Sequence, residues 1–264
     1  MSSAFGEIPR YADSMLSYRH AFHAGSAADV LKHGTLIFCL DYLGRKDAPY
    51  LCVDTHAGAG YYALDRGFAA QNREWEGGIG RLLDAARDGT PPLVKRCLGL
   101  LEGASRRVHE YPGSPALIRA LLRPQDRGAF FELHPQDYAL LDANMAGDSR
   151  LVLRREDGFS ALKALLPPRS RRACVFIDPP YERLEEYALA RRALAEGLRR
   201  FPSGLYIIWY PLLGGGGDKA RSAGAGLMDL YQGNRCQFEL CTAPVRERGM
   251  YGSGLVIFNP PWTL

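Results

Sequence analysis

Four residues, Asp178-Pro179-Pro180-Tyr181, follow directly on the apolar run Cys174-Val175-Phe176-Ile177 and have the chemistry to hold an amine. Consecutive prolines lock φ and donate no backbone hydrogen bond, so a strand leaving through them ends in a stiff loop. The exocyclic amine of a nucleobase is conjugated and a poor nucleophile. A fixed carboxylate and a fixed carbonyl can each accept one of its N–H groups and turn the nitrogen lone pair toward an electrophilic methyl. Asp178 is the candidate catalytic carboxylate, Pro179 supplies the carbonyl, and Tyr181 is placed to stack on a base turned out of its helix. The work is orientation and electrostatics in a near-attack geometry, without proton abstraction before transfer. The loop alone does not choose between adenine and guanine amines, or between RNA and DNA.

A methyl donor needs a cradle beside that loop. The run Pro49-Tyr50-Leu51-Cys52-Val53-Asp54 reads as a strand feeding His56-Ala57-Gly58-Ala59-Gly60. Glycine at such a turn lets the backbone approach a ligand closely, at the carboxyl edge of a parallel sheet. A dinucleotide fingerprint has three spaced glycines and aims a helix N-terminus at pyrophosphate. Here two glycines follow an acid and a histidine, which suits S-adenosylmethionine, a cofactor without phosphate. Glu132 ends the apolar run Gly128–Phe131 and can accept both ribose hydroxyls, while Asp157-Gly158 follows a further strand and can accept the adenine amine.

These residues need a scaffold that brings strand ends together. Apolar residues recur at helical spacing from Asp29 to Leu43. Strand candidates follow the first at 128–132, 150–154, 173–177, 205–210, 237–243 and 254–258, with helical stretches at 115–123, 135–145, 159–165 and 184–200. Alternating strands and helices imply an α/β fold, a mostly parallel sheet covered on both faces. The last two strands have only a turn between them, so they form an antiparallel hairpin. Seven strands ending in such a hairpin are the layout of class I, Rossmann-like, S-adenosylmethionine-dependent methyltransferases. Residues 75–107 carry helical spacing broken by Gly77-Gly78 and Gly89-Thr90-Pro91-Pro92, and read as two or three helices within an insertion at about 64–110. Residues 1–14 read as a flexible leader before one methyltransferase domain, 15–264. The tract Gly214–Gly217, with Gly224 and Gly226, reads as a flexible loop.

Composition excludes several classes. At 47% hydrophobic and 23% charged residues the chain is an ordinary globular one, and no apolar run is long enough to span a bilayer. Its 6 cysteines contain no Cys-x-x-Cys pair and read as reduced, mostly buried side chains of a cytoplasmic protein. A net charge of +4 is compatible with a polyanionic partner, and Arg169, Arg171, Arg172, Arg246 and Arg248 form clusters able to grip phosphate. His20, His23, His33 and His56 lack the ligand spacing of a metal site, so no metal is expected. Asn259-Pro260-Pro261-Trp262 repeats the outline of the first motif with an amide for the acid, but it closes the last strand; a substrate contact of Trp262 stays open.

Read together, Met15–His20, Ala28-Asp29-Val30-Leu31-Lys32-His33, Asp54–Gly60, Tyr111–Pro115, Glu132–Pro135 and Asp178–Glu182 resemble, in collinear order, the RlmJ family of bacterial 23S ribosomal RNA adenine-N6 methyltransferases. The similarity continues through Trp209-Tyr210-Pro211, Arg248-Gly249-Met250 and Asn259–Trp262. The resemblance implies that His33, His56, Ser114, Glu132, Asp157, Gly158 and Asp178 line the cofactor site and that Asp178 is catalytic. It further implies that Tyr18 contacts the RNA, and that the acceptor is an adenine amine of free 23S RNA. The departures are Ala27, where the family pattern has histidine, the Gly-rich stretch after Pro211, and an end soon after Trp262. DNA adenine methylation, guanine-N2 methylation and an idle RNA-binding protein are the alternatives.

Overall fold

Buried, β-branched and aromatic runs become the strands. In the computed structural model, which describes residues 19–85, 89–105, 107, 109–215, 219–245 and 248–264 (backbone alone at 219–222), they are β1 (Leu51–Asp54), β4 (Arg127–Phe131), β5 (Leu151–Arg154), β6 (Ala173–Ile177), β7 (Leu205–Leu213), β8 (Arg235–Cys241) and β9 (Met250–Phe258). They make one sheet in the order β5-β4-β1-β6-β7-β9-β8. All neighbours pair in parallel except β9, which is antiparallel to both β7 and β8. Every residue of β6 is buried, as expected where helices cover both faces. The edge strand β8 is largely exposed and carries Arg235 and Glu239, charges that discourage pairing with another chain.

The chain leaves β1 for β4 and β5 on one side, then crosses to β6 and β7 on the other. The switch point therefore falls between β1 and β6, where open α/β sheets bind ligands beyond the carboxyl ends of their strands. Asp54 ends β1, and Asp178 follows β6 immediately.

The helices are α1 (Ala27–Gly44), α2 (Gly67–Asn72), α3 (Arg81–Ala85), α4 (Pro92–Ala104), α5 (Ser114–Leu121), α6 (Pro135–Met145), α7 (Gly158–Leu165), α8 (Leu184–Arg200) and α9 (Lys219–Met228). Glu185 and Glu186 sit in the first turn of α8 and Arg199 and Arg200 in its last, matching the helix dipole at both ends. A five-residue π turn, Glu76–Gly80, precedes α3 and is kinked at Gly78. A Cβ on Gly78 would lie 2.2 Å from the Gly25 carbonyl oxygen, so only glycine lets this turn press against the entry to α1.

Two features depart from expectation. A two-stranded sheet, β2 (Tyr61–Ala63) with β3 (Glu110–Pro112), clasps the ends of the helical segment. Strands of three residues are too short to leave a period in the sequence. The Gly224–Gly226 stretch, read as loop, belongs to α9. A Cβ at Gly224 would come 2.6 Å from both the Gln237 amide and the Tyr210 hydroxyl, so glycine serves close packing there. Gly216 and Gly217 lie outside the described residues.

The main core lies between the sheet and its flanking helices. A second apolar cluster joins Ile79, Leu100, Leu101 and Tyr111 to Ile37 of α1 and Leu117 of α5. The helical segment is thus fastened to α1, the helix whose Lys32 reaches Asp178.

Candidate active site

Asp54 is fully buried at the end of β1. One carboxylate oxygen accepts the His56 N–H at 3.2 Å, whereas Oδ2 is buried without a partner. Burial pushes its pKa up to about 7 against hydrogen bonds from Ser114 and His56, with Asp178 and Glu132 adding negative charge nearby. The following turn is anchored across the sheet: Thr55 N–H donates to Phe176 O at 3.1 Å and Ala57 N–H to Phe131 O at 2.8 Å. Gly58 (φ 62°) and Gly60 (φ 82°) take left-handed conformations that favour glycine.

Glu132 sits opposite this turn. Its two oxygens accept separate backbone N–H groups, Gly58 at 2.8 Å and His134 at 2.7 Å. Burial raises its pKa to about 7 despite these bonds. Asp157 caps α7, accepting from Phe159 N–H at 3.1 Å and from the Ser160 hydroxyl at 2.5 Å. A Cβ on Gly158 would lie 2.2 Å from the Thr55 carbonyl oxygen, so the start of α7 presses directly on the turn after β1. The His56 ring packs edge-on to Phe159, 4.7 Å between centroids, and burial lowers its pKa to about 4.

The Asp178–Tyr181 loop is held from both sides. Asp178 Oδ2 accepts from Lys32 Nζ at 2.7 Å, and the same ammonium lies 3.0 Å from Asp29 Oδ1. Asp29 is itself wholly buried and accepts from the Gly25 N–H at 2.9 Å and pairs with His20 at 3.0 Å. Burial pushes the Asp29 carboxyl up, but the charges of His20 and Lys32 together hold it well below the carboxylate range. The Lys32 ammonium also lies 4.9 Å from the centroid of the Trp209 ring. Tyr181 has φ 52°, a left-handed conformation costly for a bulky residue and common at functional sites. Its ring is buried against Tyr187 (4.3 Å) and Trp209 (5.8 Å).

Residues 47–264 match the family described as RsmJ, Ribosomal RNA large subunit methyltransferase D, RlmJ. The chain is 42% identical over 256 residues to the Escherichia coli Ribosomal RNA large subunit methyltransferase J, covering 95% of this chain and 89% of the relative. It is 39% identical over 254 residues to the protein of the same name from Haemophilus influenzae, with the same coverage. The chain belongs to the RlmJ family. A crystal structure of a Legionella pneumophila protein superposes with a TM-score of 0.82 at 36% identity, covering 92% of this chain and 88% of that one.

Within the family fold, the structure gathers Asp54, Ser114, Glu132 and Asp178 near the switch point, linked through hydrogen bonds and mutual charge. His56, Asp157 and Gly158 join them through the α7 start. The His33 ring bonds the Tyr111 hydroxyl at 2.7 Å within the charge field of Asp29, Lys32 and His20, and burial lowers its pKa to about 4. Tyr18 lies outside the described residues. Asn259 donates to the Pro202 and Gly204 carbonyls at 2.7 Å, and Phe258 pairs with Tyr206 at the start of β7, so the chain reaches Trp262 from the sheet edge opposite Asp178. The Arg169–Arg172 cluster precedes β6 and shares that far edge, where Arg172 donates to the Leu43 and Ala48 carbonyls. Sequence reasoning passed over Asp29, Lys32 and Trp209 as site residues. The available signal was two opposite charges three apart on a mostly apolar helix, a pair that burial makes costly unless used.

No helix among the described residues is long and apolar enough to cross a membrane. Among them no three His, Cys, Asp or Glu side chains gather as a metal site would require.

Proposed function

We propose that this chain transfers the methyl group of S-adenosylmethionine to the N6 amine of an adenine in 23S ribosomal RNA, acting on free RNA. The observation that carries the reading is the buried Asp29–Lys32–Asp178 chain, which fixes the carboxylate of the Asp-Pro-Pro-Tyr loop beside the switch point. Membership of the family supports the ribosomal acceptor.

The residues at the turn after β1 fit the cofactor. Glu132 is oriented by two backbone donors and keeps lone pairs for a ribose diol. Asp54 holds a buried, unpartnered oxygen, which a cationic amino group satisfies. Asp157 and Gly158 border the adenine side, and His56, Ser114 and His33 complete the proposed set. When bound, S-adenosylmethionine supplies an electrophilic methyl on a sulfonium.

The chain's own residues do the orienting. Lys32 holds Asp178 Oδ2, so the other oxygen is presented to one N–H of the target amine. The Pro179 carbonyl takes the second N–H, and the rigid prolines keep both acceptors in place. Tyr181, backed by Tyr187 and Trp209, offers its remaining face to the base. Methylation leaves the nitrogen cationic, and its excess proton departs past the Asp178 carboxylate to water. Tyr18 is proposed to contact the RNA. One domain spanning 15–264 with a helical insertion at about 64–110, after a leader at 1–14, is the proposed organisation; the protein is placed in the cytoplasm.

Incubating the protein and labelled cofactor with 23S RNA and with genomic DNA, then identifying the methylated nucleoside, tests this reading. N6-methyladenosine from RNA is expected. Label in DNA alone, or in guanine, overturns it.

A further inference from the structure

A cleft of about 760 Å³ opens between the first turn of α1, the π turn and α3 of the insertion, and the ends of β8 and β9. It adjoins the catalytic loop without being part of it. Ser26 stands one turn before Asp29, and Ser253 pairs with Pro211, two residues after Trp209.

Two buried serines face this cleft. Ser26 is 6% and Ser253 3% exposed, both line the cavity, and neither hydroxyl has a hydrogen-bond partner among the described residues. Both hydroxyls open onto the cleft, where a ligand can take up their hydrogen-bonding capacity. Ser26 is the N-cap of an 18-residue helix yet makes no capping bond with its side chain. The first amides of α1, at Ala27 and Ala28, have no intrahelical acceptor and border the same space. Arg81, exposed and without an ion pair among the described residues, stands at the rim. Among the described residues the one acid on the cleft wall, Glu74, is engaged by His23 at 3.0 Å. Met250 adds an apolar wall.

Hydroxyl donors, free helix amides and a guanidinium around one cavity select an anion with several oxygens. We propose that this cleft binds the phosphodiester and ribose of the RNA nucleotide adjoining the target adenine, so that the strand is gripped on the far side of the flipped base. The assignment rests on the reading of the chain as an RNA methyltransferase. Arg81 neutralises the phosphate, Ser26 and Ser253 donate to its oxygens or to the ribose, and Met250 packs against the sugar. The insertion thereby acquires a role: the Gly78 contact with the α1 entry sets the distance of Arg81 from the two serines.

The test uses the full-length protein and in vitro transcribed 23S RNA, with filter binding over a range of KCl and steady-state transfer kinetics. Arg81→Ala is expected to raise the RNA Kd and KM by about fivefold to tenfold and to reduce the slope of log Kd against log salt by about 0.7 to 0.9, one phosphate contact. Arg81→Lys restores the slope. The double variant Ser26→Ala with Ser253→Ala raises Kd without altering the slope, because its donors are neutral. A Kd and salt slope equal to wild type in both variants, with wild type still methylating RNA, overturns the subsite. A wild-type protein that transfers no label to RNA overturns the functional reading instead, and the subsite with it.

Discussion

Replacing Lys32 by methionine removes a cation that two buried carboxylates share while keeping the length and much of the apolar stem. The Lys32 side chain is 4% exposed and Asp29 is wholly buried, so screening by water does little to soften the loss. Breaking a buried pair by deleting one partner costs about 3–5 kcal/mol, because the remaining charge stays desolvated. Asp29 keeps the Gly25 N–H and His20 as partners, and Asp178 is 11% exposed, which places the expected cost near the lower end, about 3 kcal/mol. For a chain of this size that corresponds to a fall in Tm of roughly 6–12 °C. Urea unfolding with an unchanged m-value and thermal unfolding measure it. The pairing itself is read from a double-mutant cycle: adding Asp29→Asn to Lys32→Met should cost at least about 1 kcal/mol less than the sum of the single changes. Additive costs, or a Lys32→Met protein within about 0.5 kcal/mol of wild type, would refute the reasoning that this ion chain holds the catalytic loop.

Asp178→Ala should reduce methyl transfer to 23S RNA by at least about a hundredfold while the Kd for S-adenosylhomocysteine, read by calorimetry, changes little; near-wild-type turnover removes Asp178 from the mechanism. Burial raises Asp54 and Glu132 to about 7, so each holds its proton in the fold over a range where the unfolded chain has lost it. Their contribution to stability is complete below about pH 4 and is lost as pH rises to 7. His56, lowered from 6.5 to about 4, contributes in the opposite sense: its stabilisation is present above pH 6.5 and lost as pH falls toward 4. Glu132→Gln should therefore flatten the decline of unfolding free energy from pH 5 to 7 relative to wild type, by about 1.4 kcal/mol per pH unit at most; identical pH profiles rule the assignment out. Gly158→Ala forces a methyl against the Thr55 carbonyl and should cost about 2–3 kcal/mol along with cofactor affinity, so unchanged values of both would contradict the close approach. Trp262, 83% exposed beyond the opposite sheet edge, should be replaceable by alanine with RNA KM and stability unaltered; a raised KM would place it at the substrate after all.

Much of the architecture was legible in one dimension because its signals are local. The strand Ala173–Ile177 is apolar at every position, and α6 and α8 span the very residues that apolar spacing marks, 135–145 and 184–200. A strand end, an acid and two prolines identify the amine loop without reference to anything distant, and the acids at 54 and 132 announce themselves by standing at the ends of other strands. The same locality explains the miss at Gly224. A glycine reads as freedom in sequence, and only the proximity of Tyr210 and Gln237 turns it into a packing requirement.

What the sequence by itself determined was the reaction type, the fold class and the order of the strand-end residues, all carried by neighbours in the chain. Contacts across long separations were decided by the tertiary structure. Lys32 meets Asp178 across 146 positions, Gly58 meets Glu132 across 74, and Ser26 comes to share a cleft with Ser253. The two Pro-Pro-aromatic motifs, alike as words, were separated by strand direction, for β9 runs antiparallel to β7 and delivers Asn259 to the edge opposite Asp178. Side-chain chemistry is written residue by residue, but burial, and the pairing that burial demands of charge, exists only once the sheet has brought distant segments together.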